Sequence, residues 1–268
     1  AMLDALEAGC FSQDTNPNTR VTTIWVAVEC GGEGAPPALT LTRVASTGKV
    51  RQGPVSSWVV TPATPSVGNA LLVLVNGKRT GGMTFGTLSD NQGHTYTLAG
   101  EQPNTTTPDL STAVFLLPKV VTASGAFTLT LAGVAGDVYV GSVVEIGGLA
   151  GGSLSLVSTV KDSAASGSPT TPFTSALTGE HVLAAGMVRN QSDVSITVRA
   201  DSPAWVQEAE ELDGTTWIAG EADTKIVALS GTTNVAWTLG VIGNWAAILA
   251  ACTRVGGAVP TNRMATII

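Results

Sequence analysis

The chain has 268 residues, enough for one large or two ordinary domains with real cores, so disulfides are not required for folding. Only 12% of its residues are charged, about half the usual ~25%, and 13 basic against 20 acidic residues leave a net charge of −7. The basic residues are scattered, which excludes a nucleic-acid footprint, and no apolar run reaches the roughly 18 residues of a membrane-spanning helix.

From the N-terminus, residues 2–8 are the one good helical candidate, and no leader with a basic stretch before an apolar core is expected there. Residues 21–30 and 38–44 flank a Gly- and Pro-rich turn over 31–37 and read as a hairpin. Beyond it, short alternating runs separated by Gly, Pro, Asn and Ser predict strands over 70–75, 113–117, 127–131 and 138–146. A second set follows over 181–188, 194–198, 217–227, 235–239 and 245–254. The Gly-rich stretch 147–152 lacks the helix and the lysine of a phosphate loop, and reads as a linker.

The two sets of strands are related. Gly68-Asn69-Ala70-Leu71-Leu72 matches Gly179-Glu180-His181-Val182-Leu183 at an offset of 111, as Asp90 matches Asp201. Thr128 to Leu131, Gly136-Asp137 and the run to Gly147-Gly148 recur as Ala236 to Leu239, Gly243-Asn244 and the run to Gly256-Gly257. The expected fold is therefore all-β: two tandem, internally duplicated antiparallel β-sandwiches, jelly-roll or Ig-like, with an N-terminal extension. The expected boundaries are 1–55 for a docking and assembly segment, 56–148 and 149–257 for the sandwiches, and 258–268 for a tail.

The pattern of Val67 to Leu72, Ser89-Asp90-Asn91-Gln92-Gly93-His94-Thr95-Tyr96, Phe127 to Leu131 and Val143 to Leu149 resembles the duplicated β-sandwich modules of phage virion proteins. Modules of that kind also occur in bacterial surface proteins. The resemblance implies a structural protein of the extracellular particle, a head decoration, fibre or tail component that aids host attachment. Its partners would be copies of itself and other virion proteins, with a host-surface glycan as a further one, and neither nucleic acid nor a membrane. The alternative is a carbohydrate-binding module of an extracellular or cell-surface protein.

The residues that could carry chemistry are few. His94 and His181 do not correspond between the halves, and no GxSxG, HExxH or His/Cys cluster accompanies them, so surface or strand-end histidines and no enzyme are expected. Cys10, Cys30 and Cys252 have no CxxC spacing, which predicts no metal site and no cofactor; three free thiols and a Cys10–Cys30 bridge both stay open. Glu208, Glu210, Glu211 and Asp213 could suggest calcium or a carboxylate pair, but read better as a solvated edge strand running into a turn. Trp205, Trp217, Trp237 and Trp245 either stack on sugar as exposed indoles or fill the second core. Leu3, Leu6, Phe11, Trp25, Met264, Ile267 and Ile268 lie outside both expected cores and need a burial partner, which makes them the candidate assembly contacts.

Overall fold

The computed structural model describes residues 40–79, 82–104, 110–164, 170–172, 179–190, 196–198, 204–213, 218–227, 234–239 and 243–256, within one compact unit, Leu39–Ala258. The described residues form strands and no helix. The first sheet runs in the order β1 (Thr42–Ser46), β7 (Leu129–Gly147), β3 (Ala70–Lys78), β6 (Leu110–Leu117), β5 (Thr97–Asn104), and β2 (Val50–Val60) and β4 (Leu88–Asp90) also pair with β7. The second runs β12 (Val206–Asp213), β13 (Ile218–Val227), β10 (His181–Arg189), β15 (Trp245–Val255), β8 (Ser153–Ala164). A short third sheet is β11 (Ile196–Val198), β14 (Asn234–Leu239), β9 (Thr170–Pro172). Every pairing is antiparallel.

The first two sheets stack, and the core between them takes side chains from both: Leu72, Leu74, Val114 and Val144 from one, Val182, Ala184, Ile248 and Ala250 from the other. On its far face the first sheet packs Leu71, Val73 and Phe115 against Trp58, Leu88, Leu129 and Leu131. The far face of the second packs Leu183, Ala185 and Leu249 against Val235 and Trp237 of β14. Strands β3, β6, β10 and β15 are thus covered on both faces, which is why they read as unbroken apolar runs instead of alternating ones.

Two sequence expectations are corrected here. β1 and the start of β2 fall within residues 1–55 yet pair with β7, so these strands belong to the first sheet and not to a docking segment. The runs 127–131 and 138–146 belong to one strand, β7, whose first part pairs with β2 and β4 and whose last part pairs with β1 and β3. The 2–8 helix, most of the 21–44 hairpin, Cys10, Cys30, Trp217 and all the candidate assembly contacts lie outside the described residues.

The linker is a tight turn. Gly148 and Gly151 take positive φ of 79° and 80°, the Gly152 amide donates to the Leu149 carbonyl at 2.8 Å, and Leu149 sits in the central core. Each outer strand of the two stacked sheets carries a bulge: β1 at Val44, β5 at Ala99, β8 at Val157 and β12 at Glu208. Bulges of this kind twist an edge away from further pairing.

Sheet separation is set by small residues. A Cβ on Gly186 would meet Thr112 Oγ1 at 2.4 Å and Asn76 Oδ1 at 3.4 Å, both from the opposite sheet. Gly186→Val is expected to cost about 1–3 kcal/mol through overpacking, read as a lower denaturant midpoint with unchanged slope.

Candidate functional site: a buried charge cluster

Strand β13 alternates Gly220, Ala222, Thr224 and Ile226 with Ala219, Glu221, Asp223, Lys225 and Val227. The first set faces the central core, where Ala222 and Ile226 pack. The second shares its face with Ala219 and Val227, which pack in the core beneath β14. Glu221, Asp223 and Lys225 are therefore interior, at 1%, 0% and 3% exposure. Arg189, 0% exposed, lies on the same face of the neighbouring strand β10.

The cluster is only partly satisfied. Gln207 Nε2 donates to Glu221 Oε1 at 2.7 Å, Trp237 Nε1 donates to Asp223 Oδ2 at 3.2 Å, and Lys225 Nζ lies 5.5 Å from the centre of the Trp205 ring. Glu221 Oε2 and Asp223 Oδ1 are buried with no N–H donor, and the two carboxyl groups share a hydrogen bond with each other. Burial disfavours their charged forms. With the added repulsion of Glu210, it outweighs the Gln207 hydrogen bond and pushes the Glu221 carboxyl up to about 7. Burial and the charge of Glu221 raise Asp223 well above the carboxylate range. The pair therefore retains a proton near neutral pH, in a place that solvent does not reach.

The acidic run on β12 is dispersed rather than solvated. The bulge turns Glu208 inward, at 3% exposure, where it takes a bidentate pair of 2.7 Å bonds from Arg43 Nε and an Arg43 guanidinium NH2. The Thr224 hydroxyl donates to it as well. Glu211 lies 3.4 Å from both Lys49 and Arg51, and Glu210 stands opposite Glu221. Glu211 and Asp213 are strand residues, not a turn. Among the described residues no three His, Cys, Asp or Glu side chains converge in a metal-holding group.

His94 sits in a second polar cluster, in the loop after β4. Its Nδ1 is 2.8 Å from Asp90 Oδ2, while Nε2 accepts from the Val121 and Thr122 amides at 3.3 Å each. The imidazole thus bridges two loops with both nitrogens engaged, and its side chain is 2% exposed. This corrects the expectation of a surface histidine. His181 is also buried, at 3%, with Nδ1 3.1 Å from the Gly179 carbonyl.

Burial opposes ionisation of Asp90, but hydrogen bonds from the Tyr96 hydroxyl, the His94 amide and ring and the Gln92 amide outweigh it and hold its carboxyl below the ordinary value. A depressed carboxyl adds stability above the unfolded pKa that is lost as pH falls through the folded one. Asp90→Ala is expected to cost about 2–3 kcal/mol by stranding these donors, and to remove part of the acid-unfolding limb below roughly pH 4. Thermal melts from pH 2 to 7 check both.

Trp58, Trp237 and Trp245 are buried at 0%, 1% and 3%, and Trp205 is half-buried beside Lys225. The first three fill cores and offer no face to a sugar ring. Cys252 is a free thiol whose burial pushes its pKa up to about 12.

Sequence reasoning missed Arg189, Glu221, Asp223 and Lys225. The one available signal, alternation of charge with small residues along 221–226, is the pattern of a solvated strand face. The fold and the cluster define an all-β protein of stacked antiparallel sheets with ionisable groups sealed inside one layer. Compared with known proteins, the chain matches no family model, no curated protein and no solved structure.

Proposed function

We propose that the chain is a structural subunit of a phage-like particle, built from two copies of one β-sandwich module and joined to copies of itself and to other virion proteins. The observation that carries this reading is a recurring strand order: β1-β7-β3-β6-β5 is followed by β8-β15-β10-β13-β12.

The likeness extends to register. The three-residue ladder Leu88↔Leu131, Ser89↔Thr130, Asp90↔Leu129 has its counterpart in Ile196↔Leu239, Thr197↔Thr238, Val198↔Trp237. The bulge of β1 lies opposite Ile146 and Glu145, and that of β8 opposite Cys252 and Ala251. The bulge of β5 lies opposite Phe115 and Val114, and that of β12 opposite Asp223 and Ala222. Along β3 and β10 the offset of 111 sets core-facing Ala70 against His181, on the opposite face. Because side chains alternate with period two, the faces agree at 112, which equates Ala70, Leu72 and Leu74 with Val182, Ala184 and Gly186.

A body of this kind fits display and assembly better than catalysis, since its described histidines and its inner carboxylates are spent on packing and loop bridging. In this reading the sandwiches face outward, and the flanks that carry Leu3, Leu6, Phe11, Trp25, Met264, Ile267 and Ile268 make the subunit contacts. Native mass spectrometry and negative-stain microscopy of the intact chain test it. A defined oligomer, ring or fibre is expected. A chain that stays monomeric at every concentration, or a monomer that binds glycans on an array, overturns it.

A further inference from the structure

The contacts between the stacked sheets have a symmetry of their own. β5 lies against β8 and β15, β6 against β10 and β15, β3 against β10 and β13, and β7 against β12 and β13. With β1, β7, β3, β6 and β5 equated to β8, β15, β10, β13 and β12, each contact maps onto another. β6 on β10 becomes β3 on β13, β5 on β15 becomes β7 on β12, and β3 on β10 maps onto itself. The seam of β5 with β8, where Thr159 Oγ1 donates to the Ala99 carbonyl at 2.9 Å, becomes the seam of β1 with β12, held by Arg43 and Glu208. This is the relation of an isologous dimer, with its two-fold axis passing between β3 and β10.

Side-chain size has diverged across that axis. Leu72 and Leu74 of β3 correspond to Ala184 and Gly186 of β10, and Val144 corresponds to Ala250. Two first halves placed face to face would set leucine against leucine in a space closed by small residues, and two second halves would leave a void. Only a first half on a second half fills the core.

We infer that the central face of each half is a docking surface for the complementary half of a second copy of this chain, so that copies can exchange halves about the 148–152 turn. The inference rests on the duplication proposed above. The turn is what selects the closed form: five residues, two of them glycines with positive φ, let the chain fold back on itself. A turn too short to fold back leaves the same core to be built from two chains.

The test uses the full-length chain with Cys10→Ser and Cys30→Ser, and with Gly100→Cys and Thr159→Cys across the β5–β8 seam, where a Cβ on Gly100 lies 3.7 Å from that of Thr159, oxidised with oxidised glutathione. In that chain the disulfide is expected within one polypeptide. With Ala150 and Gly151 deleted it is expected between two, as a covalent dimer on a denaturing, non-reducing gel. A disulfide that remains within one chain after the deletion overturns the exchange while leaving the stacking intact. A disulfide that forms in neither variant overturns the stacking and the two-fold relation with it. If the deleted chain does not fold, the undeleted chain is unfolded, reduced, and refolded with oxidant over a range of concentrations. The covalent dimer is then expected to rise with concentration, and its absence at the highest concentration overturns the proposal. Assembly through the flanks leaves this disulfide within one chain, so it is not mistaken for exchange.

Discussion

Replacing Glu221 with Gln and Asp223 with Asn is expected to stabilise the protein at neutral and mildly alkaline pH and to flatten its stability between about pH 4.5 and 7. The unfolded chain releases the Glu221 proton near 4.5, whereas the folded chain holds it to about 7. Across that interval the native state binds more protons than the unfolded one, so stability falls as pH rises and the cost stays in place above it. A displacement from 4.5 to about 7 corresponds to roughly 3 kcal/mol at full effect. Asp223, raised in the same direction by burial and by the charge of Glu221, adds to the decline. The neutral amides keep acceptors for Gln207 and Trp237 and carry no charge to desolvate. Denaturant unfolding at pH 5, 7 and 8.5 checks the prediction, and a double variant that tracks the parent at all three would show that the pair does not hold a proton. Isosteric apolar replacements of buried ionic groups commonly gain about 1–4 kcal/mol, which sets the scale for a larger redesign toward the first half, whose inner face carries Ala113, Phe115 and Leu117 on the matching strand.

Arg43→Ala is expected to cost about 2–3 kcal/mol, and Glu208→Gln in the same chain to recover most of it. The Glu208 side chain is fully buried, while Arg43 is about one-third exposed, at 0% and 36%. The penalty of removing the arginine therefore comes from a carboxylate left charged in a dry place, not from the lost arginine itself. The hydrogen bonds to Glu208, opposed by burial and aided by the charge of Glu208, raise the pKa of the guanidinium. A double-mutant cycle separates the pair term from the desolvation term. A single variant within a few tenths of a kcal/mol of the parent would mean that water reaches Glu208 and that the β1–β12 seam is looser than described.

Both predictions fall where the sequence was hard to read. The apolar runs of β3, β6, β10 and β15 were legible because strands covered on both faces have no polar face to confuse the pattern. Glu221, Asp223 and Lys225 were not, since alternation with Ala222, Thr224 and Ile226 says which residues share a face but not whether that face meets water. The same limit applies to Glu208: a bulge moves one residue across the sheet, and nothing in Val206-Gln207-Glu208-Ala209 announces it. The offset of 111 found the right strands but joined opposite faces of β3 and β10, because it matched the turn glycines Gly68 and Gly179, which both take positive φ, and ran on without a gap. No part of the candidate site was legible as chemistry. Its charges became a site only once β14 was seen to cover them.

The stacking of one half on the other also bears on how the chain is made. The core between the sheets cannot close until β8 to β15 have left the ribosome, and at ~5–20 residues per second that takes on the order of ten seconds after Gly147. Throughout that interval the first sheet presents Leu72, Leu74, Val114 and Val144 uncovered. Such a face invites a neighbouring nascent chain, and strand addition at an open edge is the irreversible form of that encounter. Bulges at Val44 and Ala99 blunt both outer strands of the sheet that is made first, so the waiting half is adhesive through its face, where pairing is reversible and its own second half can compete, and not through its edges.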